Sequence, residues 1–243
     1  MKTLLKLILL LAMIVYLVMA ITKFNKPDRK QICQGVEFIV SDSAKAAFIT
    51  TSELARVLKK NELYPVGKRL DFVDSRKMEK ILETNPFIES AQCYKTAGNI
   101  VRVSVSQRLP VLRIMAENGE NYYIDKHGFK MEGVPYAADL VVVTGHVTFA
   151  YVKKNLVPLG RFLQDNSFWD SQIEQLNVTE NGEIEMVPRV GDHLVFLGKP
   201  IGLSHKFSHL EAFYKKVMRE VGWNKYSFLN LEFDNQIICT KKI

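Results

Sequence analysis

IVRVSVSQRLP, residues 100–110, is the stretch on which the reading of the fold turns. Val101, Val103 and Val105 alternate with Arg102, Ser104 and Ser106, the two-residue period of a half-buried strand. Ahead of it Ala97-Gly98-Asn99 supplies a hairpin turn, so residues 88–95 become the partner strand. Upstream again the period changes. Asp74 is a good N-cap for a helix that turns Met78, Ile81 and Leu82 inward and stops at Asn85-Pro86. Thr50, with Glu53 three residues later, has the spacing of a capping box, and Leu54, Val57 and Leu58 follow on one helical face. Pro65 and Gly67 break the chain between the two helices, and Val36, Phe38 and Val40 form a first short strand. The order β-α-α-β-β over about seventy residues can close one core, with helices on one face of a sheet.

Downstream of Pro110 the texture changes. Short strands are expected at 111–116, 122–125, 140–143, 173–178, 183–187 and 194–197, parted by Gly, Asn and Pro turns. A helix over 148–163 is kinked or divided by Pro158. Another over 204–222 carries Phe207, Leu210, Tyr214, Val217 and Val221, a stripe too short for a coiled coil and read as core. Residues 228–233 and 236–240 form a last hairpin around Asp234-Asn235. The fold class is α+β, a small module followed by a larger mixed β domain with two or three helices.

At the other end, residues 4–21 read LLKLILLLAMIVYLVMAI, charged only at Lys6. As a helix this run is about 27 Å long, close to the hydrocarbon thickness of a bilayer. A cleaved signal peptide would end after Ala20, but 7–21 is fifteen apolar residues without interruption, and the segment is read as a retained anchor. Flanking charge does not fix the orientation, with Lys2 and Lys6 before the span and Lys23, Lys26, Arg29 and Lys30 after it. A long C-terminal domain translocates largely regardless of such charges.

The 243 residues have a net charge of +7, and beyond residue 24 the balance is 30 basic to 26 acidic groups. Those charges are interspersed, so no surface for nucleic acid is expected. Cys33, Cys93 and Cys239 are too few and too scattered for a disulfide framework and are read as small apolar residues. His205 and His209 have zinc-ligand spacing but lack the glutamate beside the first histidine, and are read as surface residues. No nucleophile elbow, P-loop or dinucleotide motif is present. Neither catalysis nor a metal, cofactor or small-molecule substrate is expected.

Several further motifs fall in a recognisable order. They are Phe48-Ile49-Thr50 with Glu53-Leu54, then Asp71-Phe72-Val73-Asp74, Asn85-Pro86-Phe87-Ile88-Glu89-Ser90-Ala91, and Val103-Ser104-Val105-Ser106-Gln107-Arg108-Leu109-Pro110. Tyr123-Ile124-Asp125 with Gly128, Thr144-Gly145, Leu197-Gly198 and Leu231-Glu232-Phe233 complete the series. In this order the chain resembles the FtsQ/DivIB family of bacterial division proteins, with Glu232-Phe233 where that family often has Arg-Tyr. The resemblance implies a cytoplasmic tail over 1–3, a transmembrane helix over 4–21 and a tether over 22–34. A POTRA (polypeptide-transport-associated) domain then covers 35–108 and a β domain 109–243. It implies a single-pass protein of the inner membrane, its bulk periplasmic, enriched at the septum. It also implies a scaffold whose partners are FtsB/DivIC-like and FtsL-like proteins, with FtsW and FtsI in the wider assembly. A POTRA-bearing factor for outer-membrane or secreted-protein assembly is the alternative, although no second β-α-α-β-β unit is evident.

The last strand is apolar on both sides, with Ile237 and Cys239 facing one way and Ile238 the other. Its alternation leaves open whether it is an internal strand or an edge. The resemblance implies an edge that accepts a partner strand, which makes Phe233, Asn235, Gln236, Ile237, Ile238, Cys239 and Thr240 the candidate contact residues.

Overall fold

The structure, a computed structural model, describes residues 2–24, 31–41, 48–133 and 139–242. The tether expected over 22–34 therefore falls partly outside the described residues. The chain divides into two compact units, Met1–Gln107 and Arg108–Ile243. The first begins with helix α1, Lys2–Phe24. Its side chains are described at position 6 and over 8–20. Among the described residues no helix is long and apolar enough to cross a membrane. Ile8, Leu11, Ile14, Val15 and Val18 are all exposed, as are Leu9, Leu10, Met13, Tyr16, Leu17 and Met19, so apolar surface runs around the whole helix.

The β-α-α-β-β module follows as strand β1 (Gly35–Ser41), helix α2 (Thr51–Lys60), a 3-10 turn at Leu70–Phe72, helix α3 (Ser75–Leu82), and strands β2 (Ile88–Lys95) and β3 (Ile100–Gln107). The sheet order is β1-β3-β2, with β1 parallel and β2 antiparallel to the central β3. Both helix starts form as the sequence dictates. The Thr50 side chain accepts from the Glu53 amide while Glu53 accepts from the Thr50 amide, and Asp74 accepts from the Lys77 amide. Val101, Val103 and Val105 are fully buried against Leu54, Leu58, Met78 and Leu82 in the module's core. Gln107, also buried, accepts from the amides of Phe48 and Ile49 at 2.9 and 3.1 Å.

Two further features sit at the rims of this module. Residues 31–34 run along the loop between α2 and α3. The Leu70 amide donates to the Gln31 carbonyl, the Cys33 amide to Lys68 and the Gly67 amide to Cys33, each at 2.9 Å. At the outer edge of β2, the Cys93 amide donates to Glu79 at 2.7 Å and the Ala91 amide to Glu83 at 3.1 Å. Burial and those two carboxylates push the Cys93 thiol up to about 12.

Among the described residues the second unit has one sheet of nine strands: β4 (Pro110–Met115), β5 (Asn121–Asp125), β6 (Lys130–Met131), β7 (Val142–Gly145), β8 (Ile173–Val178), β9 (Ile184–Pro188), β10 (Leu194–Gly198), β11 (Tyr226–Asn230) and β12 (Ile238–Lys241). Their order is β12-β11-β10-β9-β8-β7-β4-β5-β6. The joins β4–β7, β7–β8 and β10–β11 are parallel. Arg108 donates to Asp125 at 2.6 Å, and Asp125 also accepts from the amides of His127 and Phe129, so this nearly buried carboxylate is fully engaged.

Three helical runs cover the core. The first consists of α4 (Phe149–Tyr151), a π turn at Val152–Leu156 and α5 (Val157–Gln164). The expected helix over 148–163 is thus present, and Pro158 neither ends nor splits it. Proline has no amide to donate back along the helix, and the π turn just before it, with Val157 donating to Val152, absorbs the misfit. Next comes a short helix, α6 (Ser167–Gln172), capped by Asn166 and absent from the sequence reading. The third is α7 (Leu203–Phe213), a second π turn at Tyr214–Met218 and α8 (Arg219–Val221). Phe207, Leu210 and Tyr214 of this run are buried as expected, but Val221 is 43% exposed. Trp169, Phe207, Tyr214 and Trp223 pack edge to face or tilted, with centroids 4.9–6.0 Å apart. At the Gly145 turn no other residue fits: its φ is +88° and a Cβ would lie 2.2 Å from the Val178 carbonyl oxygen.

Candidate functional site at the edge of the second sheet

Strand β12 closes the strand order on one side, and among the described residues its only neighbour is β11. Residues 231–237 connect the two, a longer link than the expected two-residue turn. Leu231 is buried and donates its amide to the Phe196 carbonyl at 2.8 Å, while the Asn230 side chain accepts from the Glu232 amide. Asn235 takes a left-handed conformation, φ 63°, which asparagine tolerates better than most side chains. The chain then re-enters the sheet antiparallel to β11, pairing Asn230 with Ile238, Leu229 with Cys239 and Phe228 with Thr240.

Side chains and peptide groups of β12 face different ways. Ile237 and Cys239 pack on the core, whereas Ile238 is 47% exposed and Phe233 46%. Gln236 and Thr240 are exposed as well. The Lys242 amide donates to the Lys225 carbonyl at 3.1 Å, so the peptide of Lys242 turns toward β11. By the two-residue period of a strand, the peptides of Thr240 and Ile238 turn the same way. Those of Cys239 and Lys241 then point away from the sheet, to the open edge. The candidate residues thus form one continuous strip, from exposed Phe233 through the left-handed Asn235 to the strand. Lys242 is not a free surface charge, since it pairs with Asp192 at 3.0 Å.

Beside the strip lies an open cleft of about 550 Å³, a feature the sequence reading missed. Lys199, Ile201, His205 and Lys206 form one wall, and Glu232, Asp234 and Asn235 the other. Ile201 is 74% exposed. Lys206 donates to the carbonyls of Leu197 and Lys199 at 2.6 and 3.1 Å. Burial lowers its pKa, against the opposing pull of Glu232 and Asp234. The cleft therefore offers charge of both signs around one apolar side chain, a surface suited to a peptide more than to a small ligand. His205 and His209 have rings 4.0 Å apart, and among the described residues no group of three metal-ligating side chains gathers.

His193, just ahead of β10, is buried to 3% exposure. Its Nε2 lies 2.8 Å from the Tyr214 hydroxyl, it packs against Trp223, and burial lowers its pKa. It joins the helix run to the start of β10, and no motif in the sequence links positions 193 and 214.

The architecture is that of a two-module binding protein: a three-stranded module with two helices, and a nine-stranded sheet that presents an unpaired edge. Residues 31–106 match the POTRA-like domain family, and residues 109–240 match the family described as FtsQ/DivIB, C-terminal related. The second match spans more than half of the chain, which belongs to the FtsQ/DivIB family. No curated protein matches the chain.

Proposed function

We propose that this chain is a non-enzymatic scaffold of the bacterial division machinery, held in the inner membrane by residues 4–21. It binds FtsB/DivIC-like and FtsL-like proteins with its periplasmic part and links them at the septum to FtsW and FtsI. The family and its POTRA-like module support the scaffold role. The anchor is supported by α1, whose exposed apolar side chains leave no polar face for water. The observation that carries the binding mode is the outer side of β12. The outward peptides of Cys239 and Lys241, flanked by exposed Ile238 and Phe233, offer a partner strand both hydrogen bonds and side-chain contacts.

Three outcomes test this reading. Depletion yields filamentous cells; loss of outer-membrane proteins instead would favour the assembly-factor alternative. The protein resists carbonate extraction and keeps its N-terminus. A folded chain truncated after Asn235 no longer co-purifies with an FtsB-like protein, and retention of full affinity would move the site off β12.

A further inference from the structure

The loop between α2 and α3 carries an exposed patch of apolar and cationic side chains. Phe72 is 71% exposed, with the Arg69 guanidinium 4.8 Å over its ring. Ile32, bridged to Arg69 across the short ladder at the module's entry, is 53% exposed, and Val66 is 40% exposed. Lys68 lies between them, and Lys59, at the C-terminal end of α2, sits 4.9 Å over the Tyr64 ring. Arg69 also pairs with Asp71 at 2.6 Å, and Lys68 donates to the Glu62 carbonyl. With Lys59 and Lys60 nearby in the sequence, an aromatic and two aliphatic side chains among more basic than acidic groups still have the composition of a protein surface that lies on lipid headgroups.

Position makes the same argument. Residues 31–34 are fastened to this loop by three backbone hydrogen bonds, so the chain enters the module here. Six residues separate Gln31 from the end of α1 at Phe24. Fully extended, that join reaches about 25 Å at most. Across it the sequence has Lys26, Arg29 and Lys30 against Asp28 alone. Whatever solvates α1 is therefore within a short reach of the patch, and the intervening charge suits an anionic surface.

We propose that Ile32, Val66, Lys68, Arg69 and Phe72 dock the POTRA-like module onto the anionic headgroups of the bilayer that holds α1. The inference rests on the anchor proposed above. Docking fixes which side of the module faces the membrane and leaves the opposite end free for protein partners.

The test uses the full chain reconstituted into vesicles of phosphatidylethanolamine and phosphatidylglycerol. The photo-crosslinker p-benzoylphenylalanine replaces Phe72 or, as a control, Tyr94, which is 44% exposed on the sheet. The expected result is a lipid adduct at position 72 several-fold above that at position 94. Lys68→Gln and Arg69→Gln should each lower the adduct about five-fold, because one basic group near an anionic surface shifts binding by about that factor. Both positions are exposed or at the rim, so the variants should keep the native circular dichroism. Equal labelling at 72 and 94 in chains that resist carbonate extraction overturns docking and leaves the anchor standing. Release of the chain by carbonate overturns both. An adduct at 72 to a protein rather than lipid in whole cells also overturns it.

Discussion

The two sheets of this protein treat an outer strand in opposite ways. In the POTRA-like module, the outward amides of Ala91 and Cys93 on β2 are taken by Glu83 and Glu79 of α3. The side chains of a neighbouring helix stand where a partner strand would lie. In the second unit, β12 has nothing comparable beside it among the described residues; its outward peptides at Cys239 and Lys241 remain available, and Ile238 is exposed beside them. An open edge invites promiscuous pairing; two carboxylates close the one at β2, and the partner strand proposed above would close the one at β12. The difference lies in a few side chains, since both strands are short and both pair antiparallel with a single neighbour.

The largest effect should come from placing the same charge in the closed sheet's centre and on the open sheet's rim. Val103→Asp buries an unpaired carboxylate in the central strand and should cost about 3–5 kcal/mol, enough to unfold the first module in urea. Ile238→Asp should leave both modules folded and abolish capture of an FtsB-like protein. If both variants fold and bind, the contrast between centre and edge is wrong.

Next in size is binding at the open edge. Phe233→Ala should weaken capture by about 2 kcal/mol, the loss typical of an aromatic anchor. Alternation along the strand points a proline scan at Ile238 or Thr240, but those peptides face β11. Proline at Cys239 or Lys241 removes an outward donor instead, and should abolish capture while the urea midpoint of the isolated chain moves little. Equal loss of stability at 238 and 239 would mean that the parity is misassigned.

Opening the closed edge should have a smaller effect. Glu79→Ala and Glu83→Ala each strand a buried amide, and each should cost about 1–3 kcal/mol. The amides of Cys93 and Ala91 should then exchange with deuterium faster than in the parent protein. Unchanged exchange would mean that the carboxylates do not cover the edge in solution.

The smallest effect tests the support beneath β10. His193 has its pKa lowered from the ordinary 6.5 by burial. Below about pH 6.5 the unfolded chain takes up a proton at this residue that the native chain refuses. Its contribution is therefore fully present above pH 6.5 and is lost as pH falls toward the lower native value, with a slope of at most about 1.4 kcal/mol per pH unit. His193→Phe should cost about 1 kcal/mol at pH 8 through the lost bond to Tyr214, and should flatten stability between pH 7 and 5. A parallel acid profile in the variant would assign that loss to other groups.

What could be read in advance was whatever repeats or caps locally. Val101, Val103 and Val105 announce a strand because burial on one face imposes a period of two, and Thr50 and Asp74 announce helix starts because the first amides of a helix need acceptors. Apart from β6, the strands of the second unit were legible to within three residues for the same reason. What stayed hidden depends on distant partners. Glu79 and Glu83 look like ordinary solvated residues of α3 until β2 is placed beside them. Pro158 signals a break in isolation, and only the π turn before it keeps the helix going. The two residues of β6 are too few to show a period. His193 and Tyr214 meet across 21 positions, and the cleft beside Asn235 needs the β10–α7 loop brought next to the turn before β12. The candidate strip itself was visible as an apolar run, but whether it was edge or interior is a property of the sheet order, which no local pattern encodes.

The carboxylates that cover β2 have a second consequence, in redox chemistry. Thiol–disulfide exchange proceeds through the thiolate. Burial first, and then the Glu79 and Glu83 carboxylates beside it, raise the Cys93 pKa to about 12, so the thiol form is strongly favoured at neutral pH. An oxidant or a disulfide would therefore meet little nucleophile at this position. Cys93 is thereby held back from being drawn into a wrong disulfide, and the two glutamates that cover the edge of β2 add to what burial already does for its thiol.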